Sequence, residues 1–240
     1  MRYKKILEKV NKLSDSYEAM SNEKLQAQTK WFKERLSGGE SLQSILPEAY
    51  ATIREAAKRV LGLYPYDVQV LGALVMQDNQ IAEMRTGEGK TLTAILPLYL
   101  NALTGKSTIL VTANEYLAAR DAKQMAPVFR FLGMTVGVGV SDDPAKKLKI
   151  PQKQQIYKSD IVYTTHSALG FDYLEENLAT SQSKKFLPKF YFCLVDEVDA
   201  ALLDSAQMPL IISGSPRVQS NLFLSCDEFV KTLKEGEDFN

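Results

Sequence analysis

The run "QIAEMRTGEGKTLTAILPLYLNAL", residues 80–103, decides the reading of the fold. Gly87 and Gly89 let the chain turn tightly and bring successive amide N–H groups up to a ligand, while the apolar run beyond them has the length of a helix whose positive end faces the same point. Such a loop holds phosphate. In that reading the stretch Gly87, Glu88, Gly89, Lys90 and Thr91 would surround the phosphates, Lys90 reaching the β and γ phosphates of ATP and Thr91 offering its hydroxyl to Mg²⁺; a glycine-rich surface turn is the plainer reading of the same residues. The strict pattern G-x-x-x-x-G-K-[ST] fails at its first position, where Met84 stands. The context supports the motif nonetheless: "IAEM" reads as a short strand leading in and "TLTAILPLYLNAL" as a helix leading out.

Further apolar runs follow: "STILVTA" (107–113), "TVGVGV" (135–140), "DIVYTT" (160–165) and "FYFCLVD" (190–196). Runs rich in Val and Ile with helical segments between them indicate a parallel sheet covered on both faces, an α/β domain of the doubly wound type. The last run ends in the acidic cluster Asp196, Glu197 and Asp199. At the carboxyl end of a parallel strand, Asp196 can hold the hydration shell of Mg²⁺ and Glu197 can orient or deprotonate an attacking water; an acidic helix cap is the plainer reading of the same residues. Cys193, inside this run, reads as a small core residue.

Upstream, the first 60 or so residues are mostly helical. Tyr3, Ile6, Leu7, Val10 and Leu13 recur at helical spacing, with Arg2, Lys4, Lys5, Lys9 and Lys12 on the other faces. Packing on its own domain and contact with an anionic membrane surface are both open to this helix. Ser21 caps a second helix that stops at Gly38-Gly39, and a third follows Pro47. Trp31 and Phe32 read as core, and "SDDPAKKLKIPQKQQIYKSD" (141–160) as a surface connection.

With 240 residues and 45% hydrophobic content the chain can bury a substantial core. The 29 Lys and Arg balance the 29 Asp and Glu, which argues against a surface devoted to nucleic acid. Cys193 and Cys226 lie far apart, without the spacing of a zinc site or a disulfide scaffold, so a reducing, cytoplasmic compartment is expected. No run approaches the roughly 20 apolar residues that span a bilayer. After "PLIISG" (209–214) the chain starts a new element and stops, as expected of the N-terminal portion of a longer protein.

The blocks "PYDVQVLGALVMQDNQIAEMRTGEGKTLTAILPLYLNAL", "VTANEYLAARDA", "GFDYLEENL" and "DEVDAALLDSAQMPLIISG", in that order, resemble SecA, the ATP-driven motor of bacterial protein export. The resemblance implies two RecA-like domains, of which this chain holds the first. Residues 1–62 would then be a helical segment packed on the motor domain, 63–213 an incomplete first RecA-like nucleotide-binding domain, and 214–240 the start of a preprotein-binding domain. It also implies that Gln69 reads the adenine, that Asp196 and Glu197 serve Mg²⁺ and water, and that Arg120 supports the site. A SecY-type membrane channel, a preprotein cargo and the anionic inner face of the cell membrane are the implied partners, and a homodimer is compatible with it.

His166, Ser167, Ser205, Gln207, Met208 and Gln77 stand where housekeeping members carry other residues. That pattern resembles the accessory branch of Gram-positive bacteria, devoted to a narrow cargo such as a serine-rich glycoprotein adhesin. His166, the single histidine, reads as a structural polar residue. No segment like "QxxGRxGR" supplies an arginine finger, so the chain alone should bind nucleotide weakly and hydrolyse it poorly. The rival readings are a helicase-like, nucleic-acid-dependent ATPase and a non-hydrolysing docking module.

Overall fold

The computed structural model of the chain describes residues 2–141, 147–213, 221–234 and 238. Residues 142–146 of the expected surface connection and 214–220 of the expected third segment lie outside the described residues. The chain divides into two compact units, Met1–Leu210 and Ile211–Asn240.

In the first unit, α1 (Arg2–Glu18), α2 (Asn22–Ser37) and α3 (Leu42–Leu61) precede α4 (Asp67–Gln77). The stripe Leu7, Val10 and Tyr17 of α1 is buried in the common core against α3 and α4, which leaves Lys4, Lys5, Lys9 and Lys12 exposed. The Ser21 hydroxyl caps α2 by accepting the Lys24 amide at 3.3 Å, and α2 stops at Gly38. Two expectations need correction. α3 starts at Leu42, capped by Ser41, and Pro47 lies inside it; so near the N-terminus the proline forfeits only the bond to the Gln43 carbonyl. Phe32 is fully buried but Trp31 is 44% exposed, because adjacent positions on a helix face about 100° apart and only one of them reaches the core. The Arg35 guanidinium covers the Trp31 ring at 4.3 Å and is held there by Glu40 and Glu48.

The sheet contains β1 (Ser107–Thr112), β2 (Val136–Val138), β3 (Ile161–Thr165) and β4 (Phe190–Val195), all parallel, in the order β2-β3-β1-β4. Alternate side chains serve its two faces. Leu110, Ile161 and Tyr163 join the large core formed with the N-terminal helices, α5 (Lys90–Ala102) and α6 (Glu115–Phe131). Ile109, Val111 and Val162 turn the other way, toward Tyr157 and Phe186. On that side α7 (Ile150–Ile156) and α8 (His166–Asn177) are joined through the Lys153 ammonium, which pairs with Asp172 and Glu175 at 2.6 Å each.

The expected strand at 81–84 is absent: those residues pair with no strand of the sheet. Among the described residues β4, at the edge of the sheet, pairs with β1 alone, and its residues line one cavity together with residues 79–84. For the same reason Cys193 is not a core residue; it lies exposed on the edge strand and lines the cavity, whose walls desolvate its thiol and push it up to about 11. In the second unit α9 (Asn221–Thr232) carries a Lys231–Asp227 pair at 2.6 Å.

Candidate nucleotide site

The candidate phosphate loop begins as a closed turn. The Glu88 amide donates to the Arg85 carbonyl at 3.2 Å, and the Glu88 carboxylate accepts the Arg85 amide at 2.8 Å. Gly87, at the third position of this turn, has φ 86°, and Gly89, the N-cap of α5, has φ 81°; both lie in the left-handed region. α5 is buried along almost its whole length, so its positive end is fixed on the loop. Met84, the departure from the strict motif, packs its thioether against Gly72 of α4, where a Cβ would come within 3.4 Å of the sulfur.

Gln69 lies behind this loop, only 5% exposed. Its Oε1 accepts the Tyr66 amide at 2.8 Å and its Nε2 donates to the Glu88 carbonyl at 2.8 Å. The residue is thus bonded to the loop that carries Lys90 and Thr91.

On the opposite wall, the Asp196 amide extends the ladder by donating to the Val111 carbonyl at 2.8 Å, which holds Asp196 at the carboxyl ends of β1 and β4. Glu197 then turns into the left-handed region at φ 52°, a conformation costing a side-chain-bearing residue roughly 1 kcal/mol. The turn lets the Glu197 amide donate to the Asp196 carboxylate at 3.0 Å, orienting that carboxylate. A π-helical turn, Ala200–Asp204, follows directly.

Lys90, Thr91, Asp196 and Glu197 line one cavity of about 860 Å³. Gln69, Gly87, Glu88 and Gly89 shape its loop but do not line it, and Arg120 lies outside the lining as well. Arg120 instead grips Asp121, donating from Nε at 2.8 Å with its second nitrogen 2.7 Å from the same oxygen. Asp121, only 3% exposed, does line the cavity and was missed from sequence. The available signal was an acid on the apolar stripe Ala118, Ala122 and Met125 of α6. Among the substituted positions, Gln77 accepts the Asn101 amide of α5 at 2.7 Å, while the His166 Nδ1 is buried without a partner among the described residues.

The donor set fits a magnesium-bound triphosphate. The Lys90 ammonium has no hydrogen bond or ion pair among the described residues. No cluster of three or more His, Cys, Asp and Glu occurs among them either. A cation held by Thr91 and Asp196 would therefore draw most of its ligands from water and phosphate, as Mg²⁺ does.

A family model described as the SecA DEAD-like domain matches residues 1–239. The protein translocase subunit SecA 2 of Streptococcus gordonii is 56% identical over 238 residues, covering 99% of this chain and 30% of that protein. The subunit of the same name from Streptococcus sanguinis (strain SK36) is 55% identical over 239 residues, covering 100% and 30%. That from Staphylococcus haemolyticus (strain JCSC1435) is 56% identical over 239 residues, covering 99% and 30%. The chain spans about 30% of the length of the curated relatives it matches.

Proposed function

This chain belongs to the SecA family, and from that premise we propose that its cavity takes ATP with Mg²⁺ and that, in the whole protein, hydrolysis drives a preprotein across the cytoplasmic membrane. The observation that carries the reading is the convergence of Lys90, Thr91, Asp196 and Glu197 on the lining of one cavity. Lys90 neutralises the β and γ phosphates, Thr91 and Asp196 hold Mg²⁺, and Glu197 orients the attacking water. Gln69 contributes to adenine recognition from behind the loop. The Mg²⁺ that Thr91 and Asp196 would hold would supply charge neutralisation for phosphoryl transfer.

In this reading residues 1–62 are a helical layer on the motor, 63–213 an incomplete first RecA-like domain, and 214–240 the start of a preprotein-binding domain. The relatives are named as protein translocase subunits, which supports a role in protein export; a membrane channel of the SecY type, a preprotein and a dedicated cargo are the partners proposed with it. Docking on the inner face of the membrane would rest on the exposed lysines of α1, because its apolar stripe is already buried in the protein's own core. No helix among the described residues is long and apolar enough to cross a membrane.

In the full-length protein, Lys90→Ala should weaken MgATP binding by about tenfold or more, while Glu197→Gln should retain binding and lose turnover. Equal affinity of Lys90→Ala and wild type in a titration with MgATP would overturn the reading.

A further inference from the structure

We infer that Gln69 is a positioning residue for the phosphate loop itself, tying the loop to the helical layer whether or not a base is bound. The inference rests on the reading of the cavity as a phosphate site.

Both ends of its side chain are committed within the protein. Oε1 accepts the Tyr66 amide at the start of α4, and Nε2 donates to the Glu88 carbonyl, each at 2.8 Å. The α4 end is rigid, because the buried Arg54 donates to the Pro65 carbonyl at 2.6 Å and to Asp67 at 2.9 Å. At the loop end the Gly89 carbonyl accepts the Thr93 amide and hydroxyl of α5 at 3.0 and 3.1 Å, while the turn between Arg85 and Glu88 closes on itself, so the Gln69 bond is the side-chain tie from α4 to the Glu88 carbonyl. Gly89 is shaped to this strut. A Cβ there would lie 2.3 Å from Gln69 Nε2, so the side chain can pass only behind a glycine. Gln69 thus acts on Lys90 and Thr91 through Glu88 and Gly89, and each amide atom keeps a second lone pair or hydrogen for a base.

A base reader and a loop strut make opposite predictions for a ligand without a base. The probe is inorganic tripolyphosphate with Mg²⁺, titrated against the full chain as wild type, Gln69→Ala and Gln69→Glu. The glutamate variant is nearly isosteric and can still accept the Tyr66 amide, but at neutral pH it has no N–H for the Glu88 carbonyl. Loss of the bond to the Glu88 carbonyl, which both variants share, predicts that both bind tripolyphosphate about fivefold to tenfold more weakly. Hydrogen exchange at the Arg85 and Glu88 amides should quicken in both without any ligand, at unchanged far-ultraviolet circular dichroism. Wild-type affinity for tripolyphosphate in both variants, with only ATP binding weakened, would make Gln69 a base reader alone and overturn the strut. A wild-type chain that binds neither tripolyphosphate nor ATP would overturn the phosphate reading, whereas the exchange measurement tests the strut separately from it.

Discussion

Arg54 of α3 donates to the carboxylate of Asp67 at 2.9 Å, and the same guanidinium reaches the Pro65 carbonyl at 2.6 Å and Asn11 of α1 at 2.6 Å. One side chain, 4% exposed, therefore joins the first and third helices to the start of the helix that carries Gln69. Removing it leaves the Pro65 carbonyl without its donor and breaks the link to Asn11, while Asp67 keeps the Asn11 amide at 3.1 Å. Arg54→Met should lower stability by about 2–4 kcal/mol, read in urea unfolding at neutral pH. An unchanged unfolding midpoint would mean that the helical layer does not depend on this junction.

Glu197 has φ 52°, a region natural to glycine, at the position proposed to orient water. Glu197→Gly should raise stability by about 0.5 kcal/mol, the relieved strain slightly exceeding the added unfolded-state freedom, while ATP turnover by the full-length protein is lost. Glu197→Ala keeps the strain and should lose turnover without the gain. Equal thermal midpoints for the glycine and alanine variants would argue that the turn is unstrained.

What could be read from sequence, and what could not, divides along the range of the interactions. The strands around Ile109, Val162 and Leu194 are continuous apolar runs, and the Ser21 cap is a local pattern, so both were legible. The turn at Gly87 and Gly89 was legible because positive φ selects glycine. Residues 81–84 carry a strand-like run, but a strand exists only if a neighbour pairs with it, and among the described residues β4 pairs with β1 alone. Trp31 and Phe32 are equally apolar, and their helix can turn only one of them inward. The partner of Gln69 Nε2 is a backbone carbonyl 19 positions away, and backbone carbonyls leave no mark on a sequence.

Asp160 gives a pH test of the sheet's margin. Burial pushes its carboxyl up, but the Thr135 hydroxyl and amide, at 2.6 and 2.8 Å, and the Lys33 ammonium at 3.4 Å outweigh that and hold it below the ordinary carboxylate range. A depressed carboxylate stabilises the fold above its unfolded pKa of about 3.9 and loses that contribution as pH falls through the lower folded value. Asp160→Asn should therefore cost about 1–2 kcal/mol in urea unfolding at pH 6, and the gap to wild type should close at the most acidic pH the fold survives. A gap that stays constant with pH would assign the loss to packing instead of charge.

Cys193 tests the cavity directly. Its residue is exposed on the edge strand, yet desolvation pushes the thiol up to about 11. The thiolate is the reacting form, so at pH 8 only about one thiol in a thousand is in that form, against about a quarter for an ordinary cysteine. Alkylation by iodoacetamide, followed by peptide mass spectrometry, should be slow at Cys193 at pH 8 and accelerate about tenfold per pH unit up to pH 10. Because Cys193 lines the same cavity as Lys90 and Thr91, MgATP should slow the reaction further in wild type and much less in Lys90→Ala. Fast alkylation at pH 8, insensitive to MgATP, would mean that the thiol faces open solvent and that the cavity wall does not extend to β4.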